Sequence, residues 1–363
     1  MKNADTMSRK FLVRPYTYIN SSLFNITIRM IVLLLLQVGM LFVSKSYSSV
    51  FIVIAALAAS VASDLVWSVV ISENMLKNHS LLVSITQGLI AGLLIPQGYP
   101  LFPVFFVVFF IMIIVKYFFG GFAYAWVNPA VFSVIVLWII GSEFFPLFQV
   151  SFDTLAIRNP SLLLIENGTF PTASFDSSVT DFLNDTVFSF FKVSVPEGYA
   201  SLFWDNHSAI PAFRFNFITL VSSVLLISET RADVVIPAVF LVVYGALVRL
   251  VSPFFYSGLP FQGDVLLALL TGGTFFCAFF ILNAYALIPV SITGKAVYGF
   301  LSAVTMFFIA GCGTSSCGMP FTVIIANVYS IMIQQFESYF DRKALQKKLE
   351  NFKRQNDSAV QDN

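Results

Sequence analysis

The stretch Leu94-Ile95-Pro96-Gln97-Gly98-Tyr99-Pro100 closes one long apolar run, and Asn283-Ala284-Tyr285-Ala286-Leu287-Ile288-Pro289 closes another in the later half of the chain. Proline has no N–H to donate and collides with the carbonyl four residues earlier, so each stretch stops or breaks a helix. Outward from these breaks the chain reads as ten apolar runs, five before a polar gap at 151–211 and five after it, and each break ends the third run of its half. Paired broken helices at matching positions are the sequence sign of an inverted repeat that works near the bilayer midplane. Prolines that merely end helices at the membrane surface would give the same pattern.

Composition fixes the solvent. The chain is 58% hydrophobic and 11% charged, with mean hydropathy +0.85 and 42 Phe in 363 residues, and no water-soluble globule could cover so much apolar surface. The expected fold is an all-α integral membrane protein with about ten transmembrane helices in a 5+5 inverted repeat whose third helices are broken. The runs lie at roughly 28–43, 49–71, 81–96, 101–115 and 130–150, then 213–228, 234–251, 264–282, 296–311 and 319–335. A crossing takes about 17–25 residues, so the shorter runs must be broken, re-entrant or extended into the interface. The expected division is a cytoplasmic N-terminal segment 1–27, a first half 28–150, an extracytoplasmic segment 151–211, a second half 212–336 and a charged cytoplasmic tail 337–363.

Orientation follows from Lys and Arg. Lys2, Arg9, Lys10, Arg14 and Arg29 place the N-terminus in the cytoplasm, and the stretch Met1–Arg29 is too polar for a cleavable signal. Alternation then puts Lys77, Lys116, Arg231 and Lys295 on the same side and the polar gap outside. An even number of spans returns Arg342, Lys343, Lys347, Lys348, Lys353 and Arg354 to the cytoplasm. With a net charge of +1 and no basic stripe outside the termini, nucleic acid is excluded as a partner.

Polar residues inside apolar runs take a functional reading by default; here they are Asp64, Asn128, Glu229, Asp233, Asp264 and Asn283. Asp64 needs a partner or water, and Arg249 could serve if the fold brings the two together. Glu229 and Asp233 flank Arg231 and suit an interfacial ion pair. Gly120-Gly121 and Gly272-Gly273 admit close helix packing or the approach of a ring-shaped ligand. Cys277, Cys312 and Cys317 are too few for a disulfide framework; a structural role, a disulfide and a ligand to a neighbour's iron–sulfur cluster stay open. His79 and His207 lack metal-ligand spacing, so neither haem nor zinc is expected. Within the polar gap, Ser174-Phe-Asp176-Ser177-Ser178-Val179-Thr180-Asp-Phe-Leu183 is the hydroxyl-rich stretch.

Three segments carry a family resemblance. Lys116-Tyr-Phe-Phe-Gly120-Gly121-Phe-Ala-Tyr-Ala-Trp-Val-Asn128-Pro129-Ala130 resembles the RnfD and NqrB segment in which a Lys and a Gly pair precede an Asn-Pro-Ala helix start. Ser228-Glu229-Thr230 and the Gly272-Gly273 region are similar to the family's later half, and the length of the chain favours RnfD. The resemblance implies a subunit of an Rnf-type complex of the cell inner membrane that relays electrons and couples them to Na⁺ or H⁺ movement. Its partners would be the A, B, C, E and G-like subunits, lipid and a flavin transferase. It further implies a flavin mononucleotide (FMN) joined through its phosphate to Thr180, with Asp176, Ser177 and Ser178 as motif neighbours. Ser178 and Val179 stand where the family has Gly and Ala, and Ser174 stands where its acid usually lies. The alternatives are a solute channel or secondary transporter of inverted-repeat fold, or a scaffold subunit of the complex without flavin.

Overall fold

The computed structural model describes residues 23–71, 80–118, 126–146, 157, 159–192, 194–230, 234–255, 261–283, 287–310 and 317–361. The described chain is all-α. The first half contains α1 (Leu23–Val43), α2 (Tyr47–Ile71), α3 (Ser80–Leu94), α4 (Leu101–Ile111, continued as a π-helix over Met112–Phe118) and α5 (Pro129–Ile140). The polar segment holds the short helices α6 (Pro160–Glu166), α7 (Asp176–Leu183, prolonged through a π turn, Asn184–Phe188, to Phe191), α8 (Tyr199–Trp204) and α9 (Pro211–Arg214). The second half comprises α10 (Asn216–Thr230), α11 (Val235–Leu250), α12 (Val265–Thr271, resumed after Gly272-Gly273 as Thr274–Phe276 and a π turn Cys277–Ile281), α13 (Ile292–Ala310) and α14 (Gly318–Gln361).

Phe24–Val43, Tyr47–Val70, Leu101–Phe118, Ile292–Ala310 and Gly318–Lys347 are long and apolar enough to cross a bilayer. Ser80–Leu94, Pro129–Ile140, Asn216–Ser228 and Val235–Leu250 are apolar but shorter. At 1.5 Å per residue, a 15-residue helix such as α3 reaches roughly 22 Å, short of a hydrocarbon core of roughly 30 Å. Of these, Ser80–Leu94 runs directly into the first break.

Small residues set the tightest packing in the first half. A Cβ on Gly92 would lie 2.6 Å from Val53 Cα, and one on Gly88 would lie 2.2 Å from Ser60 Oγ and 3.0 Å from Leu57 Cα. The Gly88-x-x-x-Gly92 stripe thus lets α3 touch the backbone of α2, a device suited to lipid, where no hydrophobic drive pulls helices together. The sequence reading did not single out this pair.

Both breaks are tied down by hydrogen bonds. At the first, Gln97 N donates to Ala209 O at 2.8 Å, and Tyr99 Oη donates to Leu137 O at 2.8 Å. Gly98 turns the chain with φ +91°, a conformation that glycine adopts without steric cost. At the second, Ser330 Oγ donates to Leu287 O and Gln334 Nε2 donates to Ile288 O at 3.1 Å. Unpaired backbone at membrane depth costs several kcal/mol per group, so irregular backbone survives there only with such partners.

α12 has a further interruption inside the run itself, at Gly272-Gly273. The carbonyl of Leu270 accepts from Asn206 Nδ2 at 2.6 Å and from Asn216 Nδ2 at 2.8 Å. Two asparagines from the polar segment and the start of α10 therefore satisfy the broken helix.

Candidate functional site

Two buried acidic centres stand out, one inside the bundle and one in the polar segment. In the bundle, Asp64 of α2 faces Lys116, which the π-helix after α4 presents. π turns insert a residue into the helical phase and recur at functional positions. Lys116 Nζ donates to Asp64 Oδ1 at 3.0 Å, Ser80 Oγ at 2.9 Å, Ser80 O at 3.1 Å and Ser84 Oγ at 2.6 Å. Ser80 Oγ in turn donates to Asp64 Oδ1 at 2.9 Å. Lys116 is 1% exposed and Asp64 3%, and a buried ion pair holds only when such added bonds offset desolvation. The ammonium also sits 4.8 Å from the Tyr117 ring, which stacks on Trp67 at 4.9 Å. Asp64 Oδ2 is buried with no hydrogen-bond partner among the described residues.

This geometry corrects two sequence expectations. Asp64 does have a partner, but it is Lys116; Arg249 instead donates to Gly263 O at 3.1 Å. Lys116, counted above among the cytoplasmic orientation charges, is enclosed and neutralised rather than solvated.

The second centre is Asp176, the first residue of α7. Its Oδ1 accepts from Gly198 N at 2.6 Å and from Thr180 Oγ1 at 3.1 Å. Its Oδ2 accepts from Ser201 N at 2.6 Å and from Ser201 Oγ. Gly198 fits because its φ is +100° and a Cβ there would lie 2.2 Å from Ile165 Cγ2. Burial would raise the Asp176 pKa, yet bonds from the Ser201 hydroxyl, the Gly198 and Ser201 amides and the Thr180 hydroxyl outweigh it and hold the carboxyl below the ordinary carboxylate range. The arrangement is a carboxylate clasp that fastens α7 to the start of α8.

Thr180 is 4% exposed and turned inward, whereas Ser177, Ser178 and Val179 face outward. A phosphoester needs an approachable Thr180 oxygen. Here that oxygen is covered, donates its hydrogen bond to Asp176 Oδ1, and would as a phosphoester set a phosphate against a carboxylate now 3.1 Å away. The residues around Thr180 in this arrangement do not fit a phosphate-linked FMN.

The remaining predicted residues fall into separate places. Asn128 caps α5, its Oδ1 accepting from Ala130 N at 3.0 Å and Val131 N at 3.4 Å. With the Asn327 amide oriented to satisfy both ends, its Oδ1 accepts from Asn128 N at 3.0 Å and its Nδ2 donates to Val323 O at 3.2 Å, which binds α14 to α5. Asp264 caps α12 through Leu267 N at 3.0 Å and reaches Ser161 N at 2.8 Å, so it also anchors α6. Gly272 ends the first piece of α12. Gly273 has φ +67°, and a Cβ there would lie 2.2 Å from the Phe213 ring, so the space it leaves is taken by protein. Asn283, Cys277 and Cys317 are buried. Gly120, Gly121, Asp233, Arg231, His79, Lys77 and Cys312 lie outside the described residues, as does the Glu229 side chain at the end of α10.

The clasp at Ser201 and the two asparagines at Leu270 escaped the sequence reading, because both join residues far apart in the chain. No curated protein matches the chain. The NQR2, RnfD, RnfE family matches residues 11–340, nearly the whole chain, and points to a membrane subunit of NQR- and Rnf-type complexes within a multi-subunit assembly. A bundle of apolar helices with a buried charge pair, matched over that length, belongs to the NQR2, RnfD, RnfE family.

Proposed function

We propose that this chain forms part of the ion path of an Rnf-type electron-transport complex, and that it does so without a phosphate-linked flavin on Thr180. The Asp64–Lys116 pair is the observation that carries this reading. Lys116 acts as a tethered counter-ion whose other acceptors, Ser84 Oγ, Ser80 Oγ and Ser80 O, can hold it when Asp64 takes a different cation. The unpartnered Oδ2 of Asp64 is the lone-pair site such a cation, Na⁺ or H⁺, would use. Ionisable groups inside a membrane bundle mark ion pathways far more often than they add stability.

Electrons would reach the complex through neighbouring subunits, and this chain contributes the membrane-embedded charge that responds. In the scaffold reading without flavin, the Asp176 clasp is a fold element rather than a cofactor mount. The test is affinity purification of the tagged chain from its native membrane, followed by redox-driven ion uptake in vesicles. Redox subunits should co-purify, and Asp64→Asn should abolish ion uptake while leaving electron transfer measurable; Asp64→Glu should retain part of the uptake. A chain that purifies alone and passes a neutral solute down its gradient would support a channel and overturn this reading.

A further inference from the structure

Two polar residues of α7, Asp176 and Thr180, are turned into the clasp, while large apolar residues on its outer surface are left uncovered: beside the exposed Ser177, Ser178 and Asp181, the side chains of Phe175, Val179, Phe182 and Val187 are 38%, 38%, 64% and 45% exposed. Phe175, Val179 and Phe182 fall at i, i+4 and i+7 and form one apolar stripe. The stripe does not stop at the end of the helix. The Phe175 ring meets Trp204 edge-on at 5.9 Å, and Trp204 lies 5.7 Å from Phe217 at the start of α10. From Phe217 the exposed apolar surface runs down α10 through Val221, Val224 and Leu225, the spacing of the lipid-facing side of a membrane helix.

We propose that α7 lies in the headgroup and upper-acyl region of the leaflet next to the polar segment, with Phe175, Val179, Phe182 and Val187 inserted among lipid chains. Continuity decides for lipid over a protein partner: two ring contacts join the stripe to the exposed apolar face of α10, one of the apolar helices of the bundle, so that one apolar medium covers both. Trp204 and Phe217 sit where an interfacial aromatic belt would place them. Charge narrows the lipid. Interfacial helices that rely on anionic lipid carry Lys and Arg on the polar face, whereas the exposed charged residues of and next to this helix are Asp181 and Asp185 with the single cation Lys192, a mixed set with no basic face. The surface therefore suits zwitterionic headgroups. The clasp acquires a purpose in this arrangement: satisfying Asp176 and Thr180 internally fixes the rotation of the helix, and the stripe of Phe175, Val179 and Phe182 is left for the membrane.

The test uses the full chain in nanodiscs of phosphatidylcholine with a Cys312→Ser background, since Cys277 and Cys317 are buried. A fluorophore is attached at Val179→Cys, Phe182→Cys, Ser177→Cys or Asp181→Cys, one position at a time, the last two lying on the side of the helix away from the stripe. Labels at 179 and 182 should lose fluorescence to brominated acyl chains and keep it in aqueous iodide; labels at 177 and 181 should show the reverse. Quenching of 179 and 182 by iodide would overturn the proposal. So would protection of both positions from both quenchers in the intact complex, an outcome that would assign the stripe to a protein partner.

Discussion

Replacing Lys116 with Met will destabilise the bundle by roughly 3–5 kcal/mol, because it leaves the Asp64 carboxylate buried and uncompensated among α2, α3 and the π turn after α4. The loss is read as a fall in the thermal midpoint of the detergent-solubilised chain. The methylene stem of Lys116 fills the same space as Met, so packing is nearly conserved and the effect isolates the charge. Asp64→Asn alone also unbalances the pair, but the double variant should lose much less than the sum of the two single losses, since it removes both charges together. A cycle energy near zero would mean that the two side chains do not interact in the folded protein. Ser84→Ala, which deletes the 2.6 Å acceptor of Lys116, should cost about 1.5–3 kcal/mol, the usual size of one hydrogen bond to a charged group.

Asp176→Ala will release the polar segment. Four donors, Gly198 N, Ser201 N, Ser201 Oγ and Thr180 Oγ1, lose one acceptor residue, and buried donors left unsatisfied cost about 1–3 kcal/mol each where water cannot reach them. Limited proteolysis and amide exchange should therefore rise over 169–201 while the spans stay protected, because the loss is confined to one cooperative unit. The pH dependence has a defined sign. Asp176 has a lowered pKa in the folded chain, so its stabilisation is complete above the ordinary carboxylate range and is lost as pH falls through the lower folded value. The wild-type clasp should loosen on acidification, and Asp176→Ala should be loose across the range and nearly insensitive to it. Thr180→Ser should behave like wild type, while Thr180→Val should lose about 1.5–3 kcal/mol, the size of one hydrogen bond to a charged group.

Much of the architecture was legible in the sequence. Apolar runs bounded by Pro96 and Pro289 yield the helices because hydropathy and proline chemistry act locally. Asp64 is recognisable as a residue that needs a partner, and Arg249, the candidate conditional on the fold, is not brought to it; Lys116 is. Depth would have found it. Asp64 lies late in a span that descends to the same side on which Lys116 ends the fourth run, whereas Arg249 belongs to the other half. The tight approach of α3 on α2 was present as Gly88-x-x-x-Gly92, a spacing that went unused. Thr180 was the harder case: its hydroxyl-rich neighbours suggest an open loop, but Asp176 and Thr180 are four residues apart, one helical turn, and Thr180 donates to the carboxylate that Ser201 also holds. Nothing in the stretch 174–183 names Gly198 or Ser201 as donors, so the inward turn of Thr180 depends on a tertiary contact that local pattern does not encode.

The central claim, that Thr180 is a fastener and not a flavin mount, is tested most directly by mass analysis of the peptide spanning residues 169–186 from the native complex, purified from cells with an active flavin transferase. The peptide is expected at its unmodified mass, with no flavin fluorescence following the denatured chain on a gel. A flavin nucleotide mass on Thr180 would contradict the account, since the clasp seen here could not then be the arrangement of the working protein.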